Sequence, residues 1–297
     1  MTPRVALATS ADLPGLDPDD RLVLPTLAAL DIDARAVVWS DSAVRWSEFD
    51  LVVVRSTWDY SRGRRDEFLA WAERVGSQTQ LRNASDVLRW NTHKGYLLQL
   101  EERGVPTVPT AFLAQGDRVD LGALVTDRGW GDVVIKPCVG GGARGAVLVP
   151  ARAASSRQAE FEALLADGDT MVQPFLSAVA TRGEVSIVSM GGAYSHAVRK
   201  VPAKGDWRVQ ESLGGRTQAW GPPPDVVALA EWVLEVTGHD YLYARVDLLP
   251  DDDGTWQVTE VEVTEPSLYL GVGDGAADRF AAAITAALPV AADTRLT

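Results

Sequence analysis

The stretch YARVDLLPDDDGTWQVTEVEVTEP (residues 243–266) predicts two antiparallel strands, because apolar runs flank a turn-forming DDDG segment. If the strands pair directly outward from that turn, Asp247 lies opposite Val258 and Arg245 lies opposite Glu260. This register determines which side chains of the hairpin share a face, and therefore what chemistry the hairpin supports.

Alternation along the two strands places three carboxylates on one face, those of Asp247, Glu260 and Glu262. Three carboxylates on a half-buried face repel one another unless a cation neutralises them. Hard oxygen ligands at this spacing suit Mg²⁺, which also bridges nucleotide phosphates. The hairpin therefore predicts a magnesium site. A register slip of one residue would move Asp247 to the other face, and an exposed acidic strand is the alternative interpretation.

Lysine is rare in this chain, since only four of its 28 cationic residues are lysines. A compact ammonium group is a point-charge ligand for phosphate, whereas guanidinium favours planar, two-pronged pairing. Lysines kept in a chain that otherwise uses arginine therefore predict a polyphosphate site, with codon bias as the alternative. The lysines are Lys94, Lys136, Lys200 and Lys204.

A glycine cluster follows the second of these lysines. Lys136 lies in an apolar strand, and Gly140, Gly141 and Gly142 come directly after that strand. Glycines allow backbone amides to approach an anion closely, and a lysine at the base of the loop reaches the same phosphates. The pattern matches neither a Walker A motif nor a dinucleotide fingerprint. A flexible hairpin is the alternative.

The segment HKGYLLQLEERG (93–104) has helical apolar spacing, and we expect Lys94 in the first turn of that helix. A cation there opposes the helix dipole, which is reasonable if it binds an anionic ligand. A solvated lysine at a helix end is the alternative.

Cations also crowd the segment between Arg199 and Arg208, and Gly214 and Gly215 follow it. In an acidic protein, this concentration predicts a local anion site. The two arginines are predicted to contact oxygens that gain charge during phosphoryl transfer, and Gly215 to offer a backbone donor. A solvated loop with interspersed charge is the alternative.

The whole chain divides into three predicted lobes of α/β and α+β type. Strands alternate with helices at the start, which predicts a parallel sheet covered on both faces. A small α+β lobe with its own sheet follows. The predicted domains are an N-terminal α/β domain (1–105), a central lid (106–172) and a C-terminal mixed-sheet domain (173–297).

The composition excludes several classes of protein. A net charge of −13 argues against a nucleic-acid partner, whose affinity depends on clustered Lys and Arg. Cys138 is the one cysteine, so an intrachain disulfide is impossible. Apolar runs are too short for a signal peptide or for a membrane span of about 20 residues. We expect a cytoplasmic enzyme without nucleic-acid or membrane partners, for which a homodimer is an option.

In combination, these segments resemble the ATP-grasp ligases, the superfamily of glutathione synthetase and D-alanine:D-alanine ligase, over nearly the whole chain. The resemblance implies an ADP-forming enzyme that uses ATP and Mg²⁺ to activate the carboxylate of a small amino acid for attack by nitrogen. It also depends on the segments MVQPF (171–175), DWRVQESLGG (206–215), ARVDLL (244–249) and TEVEVTEPSL (259–268).

The resemblance implies roles for individual residues. Those implied to bind ATP are Lys94, Lys136 and Gly140–Gly142 at the phosphates, Gln173 and Phe175 at adenine, and Glu184 at ribose. Those implied to act in phosphoryl transfer are Arg199, Arg208 and the Mg²⁺ ligands Asp247, Glu260 and Glu262. Two positions depart from the usual pattern, since many members have Asn in place of Glu262 and an acidic residue in place of Pro174.

Further segments are similar to a bacterial subgroup that contains a ring-closing enzyme of antibiotic biosynthesis. These are RSTWDY (55–60), LRWNTHKGYLL (88–98), SHAVRKVPAKGDWRVQE (195–211) and TEPSLYL (264–270). This similarity implies conversion of O-ureido-D-serine to D-cycloserine, with loss of carbon dioxide and ammonia. An intermolecular carboxylate-amine ligase, or an ATP-binding module without catalysis, is the alternative.

The predicted substrate contacts are Arg55, Tyr60 and Ser267. Arg55 follows an N-terminal strand and is predicted to hold the carboxylate of the amino acid. The alternative is that Arg55 pairs with Asp59 or Asp66.

Overall fold

A sheet of four parallel strands organises the N-terminal part of the computed structural model, which describes residues 2–251 and 253–289. Its strands are β1 (Arg4–Thr9), β2 (Asp33–Val38), β3 (Leu51–Val54) and β4 (Gln80–Arg82). They pair in the order β2-β1-β3-β4. Every residue of β3 is buried, as expected for a parallel sheet covered on both faces. This sheet confirms the predicted α/β arrangement.

The second sheet is antiparallel and occupies the middle of the chain. Its strands are β5 (Ala111–Leu113), β6 (Val133–Pro137), β7 (Val147–Val149) and β8 (Thr170–Pro174), in the order β5-β8-β6-β7. Val133 and Ile135 pack in one apolar cluster with Phe161 and Leu165 of a covering helix. The middle of the chain therefore has its own small core.

The third sheet contains the predicted acidic hairpin. Its strands are β9 (Glu184–Met190), β10 (Ala193–Val201), β11 (Arg216–Ala219), β12 (Tyr243–Pro250) and β13 (Trp256–Glu262), in the order β11-β10-β9-β12-β13. We predicted a mixed sheet, but these strands all pair antiparallel, and the parallel contact is an isolated bridge between Thr107 and Val258. The domain boundaries at residues 105 and 172 stay a prediction.

Helices pack against these sheets through apolar faces; α2 (Arg65–Gly76), for example, buries Phe68, Trp71 and Val75 at helical spacing. Within the described residues, no helix combines the length and hydropathy needed to cross a lipid bilayer. The helices are α1 (Val23–Ala29), α2 (Arg65–Gly76), α3 (Ser85–Asn91), α4 (Tyr96–Glu102), α5 (Leu121–Asp127), α6 (Gln158–Asp167), α7 (Ala178–Arg182), α8 (Pro224–Thr237) and α9 (Ala276–Ala286).

The register of the β12–β13 hairpin differs from the predicted one. Asp247 lies opposite Glu260, and Arg245 lies opposite Glu262, so the predicted pairing was wrong by two residues. One residue of the shift arises at the turn, and the other arises at a β-bulge in which Thr259 is the extra residue. Because two residues are a full period of a strand, the three carboxylates still share a face.

The two asparagines of the sequence connect the N-terminal part to the third sheet. Asn83 is fully buried. Its Nδ2 donates to the backbone oxygens of Tyr243 at 2.9 Å and Val263 at 2.6 Å, and its Oδ1 accepts from the amide of Leu242 at 2.7 Å. This side chain satisfies backbone groups at the ends of two strands that are distant from it in sequence.

Asn91, at the end of α3, makes the same kind of connection. Its Nδ2 donates to the oxygen of Val261 at 2.6 Å, and its Oδ1 accepts from the amide of Val263 at 2.9 Å and the hydroxyl of Thr264 at 3.0 Å. The chain that leaves β13 is therefore fixed against α3.

We expect Asn83→Ala to lower the free energy of unfolding by about 3 kcal/mol, because three buried backbone groups lose their partner. Urea-induced unfolding, followed by fluorescence, measures the change. The control is Gln78→Ala, which removes an exposed amide side chain. Equal midpoints for the two variants would show that the Asn83 contacts contribute little.

Candidate active site

A cavity of about 740 Å³ is lined by residues from all three sheet regions. Most of the predicted site residues meet there. Those that line the cavity are Tyr60, Lys94, Lys136, Gly140, Gly141, Gly142, Gln173, Phe175, Glu184, Arg208, Asp247, Glu260, Glu262 and Ser267.

Lys94 and Lys136 face this cavity from two different elements. The Nζ of Lys94 donates to the backbone oxygen of Gly140 at 2.6 Å and lies 3.8 Å from the Glu260 carboxylate. Lys136 projects from β6, directly before the glycine loop. Two ammonium groups and a glycine loop at one wall provide the point charges and backbone amides that suit a polyphosphate.

We predicted Lys94 in the first turn of a helix, and this prediction was wrong. It precedes α4, which begins at Tyr96, and its backbone amide donates to the oxygen of Cys138 at 2.8 Å. The position of Lys94 is therefore fixed by the strand that carries Lys136 and not by a helix dipole.

The end of β8 provides an apolar and amide-bearing wall. Gln173 donates from Nε2 to the hydroxyl of Thr110 at 2.8 Å, and Phe175 packs edge-on against Trp207, with ring centroids 6.2 Å apart. An aromatic surface beside fixed polar groups is a typical setting for a planar heterocycle.

A buried ionic network occupies the cavity face of the third sheet. Asp247 is held by Arg245 through two bonds of 2.9 Å, by Lys200 at 3.3 Å and by the Ser186 hydroxyl at 2.6 Å. Lys200 also contacts Glu184. A buried carboxylate is stable only with such paired charges and hydrogen bonds.

The network shifts the pKa of its members in opposite directions. Burial opposes ionisation of Asp247, but Arg245 and Lys200 more than offset it and hold its pKa below the usual range. Burial raises the pKa of Glu262 to about 7, although Arg245 acts in the opposite direction. About a third of the Glu262 side chain is exposed, and this part faces the cavity.

A contact between distant segments closes one side of the cavity. Arg144, in the glycine loop, donates from Nη2 to the backbone oxygen of Ser61 at 3.0 Å and to its hydroxyl at 2.8 Å. The loop of the middle sheet is thereby joined to the N-terminal segment that carries Tyr60.

Comparisons with known proteins agree with this geometry. Residues 5–83 match the family described as D-cycloserine synthetase DcsG, N-terminal domain, and residues 108–271 match the prokaryotic glutathione synthetase ATP-grasp domain. The chain is 33% identical over 294 residues to the cycloserine biosynthesis protein DcsG of Streptomyces lavendulae, covering 94% of this chain and 97% of the relative. The chain belongs to the D-cycloserine synthetase family of ATP-grasp ligases.

Solved structures support the same assignment. The crystal structure of D-cycloserine synthetase DcsG superposes with a TM-score of 0.85 at 31% identity, over 95% of this chain and 99% of the other. A D-alanine–D-alanine ligase from Bacillus anthracis complexed with ATP has a TM-score of 0.66 at 15% identity, over 95% and 94% of the two chains, and shows the shared fold. The predicted ATP-grasp fold is confirmed, and the chain is an ATP-dependent ligase.

The carboxylates predicted to bind Mg²⁺ are not equivalent in this ATP-grasp ligase. Both oxygens of Asp247 accept bonds from cationic groups, so Asp247 is the most fully engaged of the three, and its role as a Mg²⁺ ligand stays a prediction. Across the described residues, no three acidic, His or Cys side chains form a metal-ligand group. Glu260 and Glu262 remain on the cavity wall, and two carboxylates suffice for a Mg²⁺ ion that also binds substrate phosphates.

Arg199 is not at the cavity, contrary to our prediction. Its guanidinium lies over the ring of Trp220, 5.2 Å from the centroid, on the opposite face of β10 from Lys200. Neighbouring residues of a strand point to opposite faces, so only one of these two cations can reach the carboxylates. Lys200 takes the position that we assigned to Arg199.

Gly215 does not offer a free backbone donor, contrary to our prediction. Its amide donates to the oxygen of Gln210 at 3.1 Å, and a Cβ atom at this position would lie 2.1 Å from the oxygen of Val209. Glycine is required here because the chain approaches itself closely, and its amide is used within the turn.

Arg55 does not bind substrate at the cavity, contrary to our prediction. It is only 1% exposed, and it donates to Asp20 from Nε at 3.0 Å and from Nη2 at 2.7 Å. Its guanidinium also lies over the Tyr243 ring, at 4.7 Å from the centroid. The alternative, an arginine held in an ion pair, was right in kind, but its partner is neither Asp59 nor Asp66.

The sequence analysis gave no site role to Arg245 or Glu265, and it named Lys200 only as one of the four rare lysines. Arg245 lies two residues before Asp247, so strand alternation alone would have placed both on one face. Burial, together with the charge of Glu262, raises the pKa of Glu265 to about 8. Only tertiary structure reveals this, because the isolated sequence TEPSLYL gives no measure of burial.

We expect Glu265→Gln to stabilise the protein, relative to wild type, more at pH 8 than at pH 5. The Glu265 carboxyl ionises near 4.5 when unfolded and near 8 when folded, so between these values the folded state binds more protons and its stability falls as the pH rises. Glutamine does not ionise. Thermal melting across this range measures the difference, and a difference that does not vary with pH would contradict the expectation.

Proposed function

We propose that this ligase closes O-ureido-D-serine to D-cycloserine in antibiotic biosynthesis, with release of carbon dioxide and ammonia. The observation that carries the proposal is that the chain matches D-cycloserine synthetase along nearly its whole length, while one cavity brings the cations Lys94 and Lys136 together with Tyr60 and Ser267. We also propose that the enzyme is cytoplasmic; the homodimer stays a prediction from the sequence.

The cavity walls suit ATP at defined positions. We assign the phosphates to Lys94, Lys136 and the glycine loop at 140–142, because these groups face one another across one wall. We assign adenine to the wall formed by Gln173 and Phe175. We assign the ribose hydroxyls to Glu184, which lines the same cavity and whose carboxylate contacts Lys200.

The first chemical step is transfer of the γ-phosphoryl group to the substrate carboxylate. A carboxylate oxygen attacks phosphorus, the bond to the β-phosphate oxygen breaks, and ADP leaves. Lys200, Arg208 and Arg245 face this space and stabilise the charge that spreads over the phosphoryl oxygens. Asp247 holds Arg245 at two points, so the guanidinium is oriented before substrate binds.

Glu260 and Glu262 would hold Mg²⁺ together with phosphate oxygens, because Mg²⁺ typically binds through one or two carboxylates plus substrate phosphates. The ion would neutralise phosphate charge. Arg245 also contacts the Glu262 carboxylate.

The second step is ring closure. The acyl phosphate replaces a poor leaving group with a good one, and the nitrogen attached to the side-chain oxygen of the same molecule attacks the carbonyl. Phosphate leaves from the carbonyl carbon. Hydrolysis of the carbamoyl group on the ring nitrogen then consumes one water molecule and releases carbon dioxide and ammonia. Holding both reacting groups in one molecule contributes about 7–11 kcal/mol to lowering the barrier.

We expect Lys136→Arg to weaken ATP binding by about tenfold or more, because the planar guanidinium does not fit a site built around a point charge. Calorimetry with a non-hydrolysable ATP analogue measures Kd. The matched control is Lys204→Arg, since Lys204 is exposed and lies outside the cavity lining. Equal Kd values in folded Lys136→Arg and Lys204→Arg proteins would contradict the assignment of Lys136 to the phosphate site.

We expect one ADP and one ring product from each O-ureido-D-serine, without any added amine. Coupled measurement of ADP, with product analysis by mass spectrometry, tests this stoichiometry. If ADP release requires a separate amine acceptor, the enzyme is an intermolecular ligase and the ring-closure proposal is wrong. ATP binding without ADP release from any amino acid would indicate a non-catalytic module.

A further inference from the structure

The segment from Thr264 to Ser267 is fixed at each of its four backbone oxygens by a side chain from elsewhere in the chain. Three of the four donors are nearly completely buried, so this wall of the cavity is preorganised. The bonds are Tyr243 Oη to Thr264 at 2.9 Å, Trp58 Nε1 to Glu265 at 3.0 Å, Arg55 Nη2 to Pro266 at 2.6 Å, and Arg245 Nη1 to Ser267 at 3.2 Å.

Glu265 is the acidic residue that this fixed segment presents to the cavity. The Tyr60 hydroxyl is hydrogen-bonded to its carboxylate. Tyr60 is itself 5% exposed and stacked on Phe68, with ring centroids 4.8 Å apart. Both the backbone of Glu265 and the side chain that contacts it are therefore held in place.

The Glu265 carboxylate differs in its partners from the four carboxylates that the third sheet presents to the cavity. Glu184, Asp247, Glu260 and Glu262 each form an ion pair with a lysine or arginine. Among residues 2–251 and 253–289, no lysine or arginine forms an ion pair with Glu265. A carboxylate that is withdrawn from water and lacks a cation is costly, and a bound cation offsets that cost.

The charges of the cavity are therefore arranged in two regions. Lys94, Lys136, Lys200 and Arg245 provide positive charge at the phosphate side, and Glu265 provides a carboxyl group without a cationic partner near Tyr60 and Ser267. An α-amino acid carries a carboxylate and an ammonium group on one carbon, so this arrangement matches its two charges. We propose that Glu265, held by Tyr60, binds the α-ammonium group of the substrate and makes the enzyme selective for substrates that carry it.

This inference rests on the proposed function and adds a reason for its chemistry. An ammonium group paired with a carboxylate keeps its proton and is not a nucleophile. The α-nitrogen is thereby excluded from attack on the acyl phosphate of a second substrate molecule, and the side-chain nitrogen remains as the attacking group. Glu265 is a substrate-binding residue in this scheme, and Tyr60 positions it.

The test compares two ligands, O-ureido-D-serine and its analogue without the amine, 3-(ureidooxy)propanoic acid. Wild-type enzyme saturated with a non-hydrolysable ATP analogue should bind the amine-bearing ligand at least about tenfold more tightly, as expected for a hydrogen bond between charged groups. Glu265→Gln should reduce this ratio towards one, and its Kd for the ATP analogue should stay unchanged. Glu265→Asp keeps the charge and should retain part of the ratio.

The control variant is Glu101→Gln, an identical change on the exposed surface of α4, which should keep the wild-type ratio. A folded Glu265→Gln protein with the full wild-type ratio would overturn the inference. If the variant changed only the Mg²⁺ concentration needed for binding, Glu265 would be a metal ligand, and the inference would also be wrong. Because the readout is binding, a lack of ring product in a turnover assay would contradict the proposed function and leave this result unaffected.

Discussion

Crowded negative charge on one face of the third sheet is the constraint on which the site depends. Glu184, Asp247, Glu260 and Glu262 all face the cavity, and such a face is stable only if cations are built in beside it. The fold provides them from neighbouring strand positions, chiefly Arg245. The same cations are the groups to which we assign phosphoryl transfer, so in this proposal one arrangement both stabilises the sheet and preorganises the site.

Much of this could be predicted because it depends on strand periodicity and on rare residue types. The glycine loop after Lys136 and the shared face of three carboxylates follow from local pattern alone. The predicted hairpin register was nevertheless wrong by two residues. The face assignment held because the offset at the turn and the bulge at Thr259 together complete one strand period.

The predictions for Arg199 and Arg55 were wrong because tertiary contacts, and not the local sequence, decide where these side chains lie. Arg199 and Lys200 are adjacent cations, and only the packing of β10 decides which one faces the cavity. Arg55 has its partner at Asp20, 35 positions away, which no motif indicates. Each error replaced a tertiary contact with a plausible local role, and one of these side chains, Arg55, still supports the site indirectly through the Pro266 oxygen.

The bulge at Thr259 also has a consequence for how this family can diverge. The extra residue brings Glu260 opposite Asp247. The Thr259 hydroxyl stabilises the bulge by donating to the backbone oxygen of Asp247 at 3.1 Å. If the same sequence paired without the bulge, Thr259 would lie opposite Asp247, and both glutamates would turn away from the cavity while every amino acid of the motif remained. Relatives that keep this spacing must therefore keep the bulge as well, so the hairpin is inherited as a backbone shape together with its glutamates.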